Sequence, residues 1–254
     1  MSVQPFVILS QPRTGSTLIC SLLNSHPDIR AIVEPINPDT HGHHMRPLPG
    51  SITLLPQDKI HNDLRWCLDL LFDGKPNKDL FNPLWKNVNS AAGFKIMAHQ
   101  IQGLANEEFF WNELKSRKVK VILAFRYNIL KQYVSDLITL ATGQSACWKG
   151  AIKTAKVVVP TSSLKMALDN INAQKLYLIN KVAEYDLDKV RLRYEDYCDD
   201  FSKVANILPW LANTSGILTT KLHRQNPVNL KDRVYNYDEL VAYATALGFK
   251  NLLD

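Results

Sequence analysis

Cysteine is scarce and scattered: Cys20, Cys67, Cys147 and Cys198 are the four in 254 residues, and no two form a C-x-x-C pair. That usage predicts reduced thiols in a cytoplasm-like compartment, with Cys20 buried inside a helix rather than acting as a nucleophile. Long apolar runs are missing too. No stretch approaches the roughly 20 residues that a membrane-spanning helix needs, and Met1 to Gln4 leads straight into an apolar run. Neither a membrane span nor a signal peptide is expected, so the expected location is cytoplasmic; the sequon Asn213-Thr214-Ser215 should accordingly stay bare. There is no low-complexity tract and no internal repeat. Glycine is also sparse where a nucleoside-triphosphate loop would require it. Between Ser10 and Leu18 only Gly15 is present, and Arg13 precedes it where the motif G-x-x-x-x-G-K-[ST] places a lysine after the second glycine.

What is present is ordinary globular material, 46% hydrophobic and 21% charged, in a length suited to one large α/β domain spanning residues 1–254. The net charge of +6, from 30 Lys plus Arg against 24 Asp plus Glu, suits an anionic cofactor or substrate. The lysines are spread along the chain rather than clustered, which argues against a nucleic-acid partner.

The most informative segment is Phe6 to Pro38. Phe6 to Leu9 is short, apolar and partly branched and reads as a buried strand. Pro12 and Gly15 break it, and Leu18, Ile19, Leu22 and Leu23 then recur at helical spacing. A strand, a tight turn and a helix in that order make an anion-binding device, because the turn presents backbone N–H groups at the positive end of the helix dipole. Arg13 offers a bidentate fork to phosphate or sulfate oxygens, and Ser16 and Thr17 add hydroxyls. The plainer alternative is a capped helix with Thr14 or Ser16 as its N-cap.

The helix ends in Asn24-Ser25-His26-Pro27-Asp28, and the strand-like run Arg30 to Val33 delivers Glu34. A second block, Lys118 to Phe125, is the most strand-like run in the chain and ends in Arg126, with Ser135 nine positions later. Together these resemble the sulfotransferases that use 3′-phosphoadenosine 5′-phosphosulfate (PAPS), and more closely the branch of tyrosylprotein and bacterial carbohydrate or lipid sulfotransferases, whose first loop reads P-R-[ST]-G-[ST]-T-L. The likeness is specific over Phe6 to Pro38 and Val121 to Gly143, and suggestive at Tyr194-Glu195-Asp196 and around Arg224.

The resemblance implies a single-domain α/β fold of the P-loop-NTPase-like sulfotransferase type, with a central, mostly parallel sheet flanked by helices. It also implies PAPS as cofactor, adenosine 3′,5′-bisphosphate as product, no metal, and a small-molecule, carbohydrate or lipid hydroxyl as acceptor. Carried over residue by residue, Arg13, Thr14, Gly15, Ser16 and Thr17 cradle the 5′-phosphosulfate. Arg126 and Ser135 hold the 3′-phosphate, although the spacing is one longer than the commonest, and Arg224 belongs to the basic segment Lys221 to Arg233 that closes over the nucleotide. Glu34 is the catalytic base, His99 its competitor, and Lys95 a second-rank candidate for contact with the sulfuryl group. Glu195 and Asp196 read as solvated residues at a strand end. Two rival functions are a nucleotide-kinase-type phosphotransferase and a catalytically silent binder of adenosine 3′,5′-bisphosphate.

Elsewhere strand and helix patterns alternate, which favours a mostly parallel sheet with its ligand loops at the carboxyl ends of the strands. Gly93 to Met97 reads as a strand. Ile60, Leu64, Cys67, Leu68 and Leu71 make an amphipathic stripe, a long helix follows Pro160 with Ser162 or Ser163 as cap, and a last helix runs from about Tyr237 to Leu247. Pro35 to Pro56 and Gly143 to Pro160 lack a period and are assigned to the acceptor pocket or its lid. His41, His43 and His44 lack a fitting fourth ligand for a metal.

Overall fold

The computed structural model describes residues 3–33, 90–104, 107–147, 151–223 and 229–253. Four short, largely apolar runs form β1 (Gln4–Ser10), β2 (Ile29–Val33), β3 (Ala91–Met97) and β4 (Lys120–Phe125), and a fifth that alternates basic with apolar residues forms the edge strand β5 (Lys189–Arg193). They pair in the order β2-β3-β1-β4-β5, all parallel. A parallel sheet is covered on both faces, so its inner strands lose the in-out alternation of a half-exposed sheet. Every residue from Phe6 to Ser10 and from Val121 to Ala124 has zero exposure. The expected α/β architecture is therefore observed.

Successive side chains of the inner strands feed two different cores. Val7, Leu9, Phe94 and Leu123 meet α3 (Glu107–Ser116) through Phe110 and Trp111, and α5 (Thr161–Glu184) through Leu178 and Val182. Phe6, Ile8, Ile122 and Ala124 meet α1 (Ser16–Leu23) through Ile19, Leu22 and Leu23. A third core joins α4 (Ile129–Thr142), the start of α5 and α9 (Tyr237–Ala246). The short helices α2 (Ala98–Gln102), α6 (Tyr194–Tyr197), α7 (Ser202–Ala205) and α8 (Leu208–Ala212) complete the layers. With β3 and β2 on one side of β1 and β4 and β5 on the other, the order reverses between β1 and β4, whose carboxyl ends are the sheet's topological switch point.

Asn24, at the end of α1, fixes the return into β2. Its side-chain amide donates to the Ala31 carbonyl and accepts from the Ala31 N–H, both at 2.8 Å. Where β3 crosses Phe6 the sheet leaves no room for a side chain: a Cβ at Gly93 would lie 2.2 Å from the Phe6 carbonyl oxygen.

Three local expectations are corrected. The long helix after Pro160 begins at Thr161, so Ser162 and Ser163 are in its first turn and Pro160 occupies the cap position. The last helix ends at Ala246, one residue early, with Gly248 in the left-handed region just beyond. The third is the expectation that Glu34 ends the strand neighbouring the first: β3 lies between β2 and β1. The 60–71 stripe and residues 35–56 lie outside the described residues. Within 143–147 and 151–160 no helix or strand occurs, and two isolated bridges, Cys147 to His223 and Val157 to Val234, tie these stretches down. No described helix is long and apolar enough to cross a membrane.

Candidate functional site

Beyond Ser10 the chain turns through Gln11 to Gly15 with two residues in the left-handed region, Arg13 at φ 62° and Gly15 at φ 75°. Glycine adopts this freely, but an arginine there is strained by about 1–2 kcal/mol. Side chains from distant elements hold the turn. Thr14 Oγ1 donates to the Gln11 carbonyl at 2.9 Å, Gln132 Nε2 to the Pro12 carbonyl at 2.8 Å, and the Tyr197 hydroxyl to the Thr14 carbonyl at 2.7 Å. Arg13 itself donates through Nε to Ser135 Oγ at 3.1 Å and through Nη1 to the Ser145 carbonyl at 2.7 Å. The reading of Thr14 or Ser16 as N-cap is corrected: Gly15 is the cap residue of α1, and among the described residues no side chain makes the capping bond. A helix start presents N–H groups at the positive end of the dipole, where anions are favoured.

Positive charge reaches this turn from the strands on either side of β1. Arg126 follows the last residue of β4, and its guanidinium lies 4.7 Å from the centroid of the Tyr194 ring. Lys95, from β3, is only 3% exposed and donates through Nζ to Thr17 Oγ1 at 3.1 Å, in the first turn of α1. Burial lowers the pKa of the Arg13 guanidinium from its ordinary value, the charge of Asp136 opposes that shift and the charge of Arg126 adds to it. Two guanidiniums that disfavour each other's charge form a site that an anion relieves. Asp136, next to Ser135 on α4, is the counterweight. Burial raises its carboxyl above the ordinary 3.8, while Arg13 and then His99 pull it back down.

Of the residues expected at the site, Arg13, Thr14, Gly15, Ser16, Thr17, Arg126 and Ser135 all lie at the carboxyl ends of β1 and β4, and Arg13 and Ser135 are in direct contact. α4 starts at Ile129, capped by the Asn128 side chain on the Lys131 N–H at 2.8 Å. Ser135 is thereby turned inward onto Arg13 with 6% exposure despite its longer spacing from Arg126. His99 is exposed on α2, close enough to act electrostatically on Asp136. Glu34 and Arg224 lie outside the described residues, as do His41, His43 and His44. Among the described residues no group of three or more His, Cys, Asp or Glu side chains is placed to hold a metal.

Lys95, a second-rank candidate from the sequence, reaches the first turn of α1, and Asp136, which the sequence did not single out, acts electrostatically on Arg13. A lysine inside the apolar run Gly93 to Met97 was the available signal for the first, since a charge there must find a partner; an acidic residue beside a proposed phosphate ligand gave none for the second. Asp196 fits the solvated reading, exposed and paired with Arg193. Glu195 corrects it: although exposed, its carboxylate accepts the backbone N–H groups of Tyr127 and Asn128 at 3.1 and 3.0 Å.

No family model and no curated protein matches the chain. Among solved structures it is similar to the sulfotransferase from Alicyclobacillus acidocaldarius, at 13% identity and a TM-score of 0.46, over 100% of this chain and 96% of that one. So distant a likeness decides nothing about activity, which rests on the residues themselves.

Proposed function

We propose that this protein is a PAPS-dependent sulfotransferase acting on a hydroxyl acceptor. The observation that carries the reading is the meeting of Arg13, Arg126 and the buried ammonium of Lys95 around the uncapped start of α1. Two of these cations sit on different strands' ends, which suits a ligand with two separate anionic groups. PAPS supplies the activated sulfuryl group; the chain's own residues position it and stabilise charge. Sulfuryl transfer resembles phosphoryl transfer in needing little covalent help, so electrostatic stabilisation of the leaving phosphate is the main task. Arg13 and the first amides of α1 fill that role, with Lys95 beside them, while Arg126 pairs with the 3′-phosphate.

Glu34 takes the acceptor's proton. It follows Val33, the last residue of β2, which is level with Lys95 across the sheet. His99, on the helix after the strand that does adjoin β1, is the second candidate. A magnesium-dependent kinase is disfavoured, because the Thr17 hydroxyl that would face the metal already accepts from a lysine ammonium.

Thermal shift tests the reading. Adenosine 3′,5′-bisphosphate at a hundredfold excess over Kd should stabilise the protein by about 2.7 kcal/mol, a rise of roughly 5–10 °C for a chain of this size, with no metal added. 5′-AMP should do much less. Equal stabilisation by ATP with magnesium points to the kinase, and a screen of hydroxyl acceptors with radiolabelled PAPS then identifies the acceptor.

A further inference from the structure

One short helix grips both anion sites. The Tyr197 hydroxyl of α6 donates to the Thr14 carbonyl, 183 positions away in sequence, and its side chain is fully buried. Burial pushes this phenol well above its ordinary value of 10, so it stays a donor at working pH. Tyr194 packs against Gly15 so closely that a Cβ there would lie 2.5 Å from the ring. The same ring carries the Arg126 guanidinium on its face, and Tyr197 meets Tyr194 edge-on, with centroids 5.8 Å apart. Between the two tyrosines, Glu195 holds the N–H groups of Tyr127 and Asn128, the link from Arg126 into α4. Thr14 and Gly15 belong to one anion site, Arg126 to the other, and a single turn of helix is bonded to each.

We infer that α6 is a spacer that fixes the separation of the two anion sites, with Tyr197 and Glu195 as positioning residues that select nucleotides phosphorylated at both ends; this rests on reading the loop and Arg126 as the two halves of a bisphosphate site. A ligand that engages two sites gains over either half alone only when the sites stand at its own span. Loosening the spacer removes that gain and leaves each anion's local contacts in place. Neither Tyr197, whose hydroxyl is spent on Thr14, nor Glu195, an anion, needs to touch the ligand.

Calorimetric titration of the full chain with adenosine 3′,5′-bisphosphate, 5′-AMP and 3′-AMP tests this. The wild type should bind the bisphosphate at least about 100-fold more tightly than either mononucleotide. Tyr197→Phe, which keeps the ring and loses only the hydroxyl, should lower that ratio about tenfold while both mononucleotides stay within about twofold. Glu195→Ala, at an exposed position, should do the same and carries the test if the buried variant fails to fold. Tyr177→Phe, in the opposite core, should leave the ratio unchanged. An unaltered ratio in both Tyr197→Phe and Glu195→Ala, or an equal loss for all three ligands, overturns the spacer while the two-site reading stands. A wild type with no preference for the bisphosphate overturns the two-site reading and the spacer with it.

Discussion

The Lys95 ammonium and the Thr17 hydroxyl, 3.1 Å apart, join β3 to the first turn of α1 and put a buried cation at the start of that helix. A P-loop carries its lysine within the loop; here a neighbouring strand brings one to the same helix end.

Lys95→Met keeps the length of the side chain and removes its charge. Transfer should fall by roughly 100-fold or more, in kcat more than in affinity for the bisphosphate product, because the cation is needed most when charge develops on the leaving group. The melting temperature should hold or rise, since burying an ammonium costs free energy that a methionine does not. A variant that loses stability and keeps kcat would mark Lys95 as structural.

The choice of base is settled by a pair of variants. Glu34→Gln should leave nucleotide affinity within a few-fold and lower transfer by roughly 100-fold, and His99→Ala should retain most activity. The reversed pattern assigns proton transfer to His99, supported by Asp136. A Glu34→Gln protein that fails to bind nucleotide would instead make Glu34 a support of the loop.

Gly15→Ala should damage the loop twice over. Its φ of 75° disfavours a side chain, and the new Cβ would fall 2.5 Å from the Tyr194 ring. A loss of about 1–3 kcal/mol is expected from denaturant unfolding, together with a much larger loss of bisphosphate binding than at Gly143→Ala, where φ is 65° but nothing lies within 4 Å.

Asp136 gives a pH signature. Its carboxyl is raised above 3.8 by burial, so the native state holds this proton more tightly than the unfolded chain does. Stability from this group is present below the unfolded value and is lost as pH rises through the raised one. Asp136→Asn removes that loss. Its urea midpoint should gain on the wild type as pH rises above about 4, and bisphosphate binding should tighten several-fold as a competing negative charge leaves the arginines. A midpoint difference that does not change with pH would count against it.

Much of the architecture was legible because it is local. Phe6 to Leu9 and Val121 to Phe125 declare buried strands by apolarity alone, and the Pro12-Gly15 break with the Leu18, Ile19, Leu22 spacing declares the turn and α1. Strand order was not legible: nothing in Ile29 to Val33 says that residues 91–97 will come between it and β1. The site followed the same division. Arg13 and Arg126 stand out beside their strands, but the Ser145 carbonyl that holds Arg13 is backbone, and a backbone partner leaves no trace in residue identity. The Tyr197 hydroxyl is similarly opaque, because its partner is another carbonyl far away in the chain.

The insertion of β3 between β2 and β1 also bears on how the chain is made. Both early strands find β3 as their first neighbour, and it leaves the ribosome some 60 residues after β2. Until then the amino-terminal loop and its arginine exist without the sheet that supports them. The pairings that close the site are long-range, of the kind that slows folding and lengthens the exposure of unpaired edges. A nascent chain stopped before Ala91 carries the anion loop in sequence only.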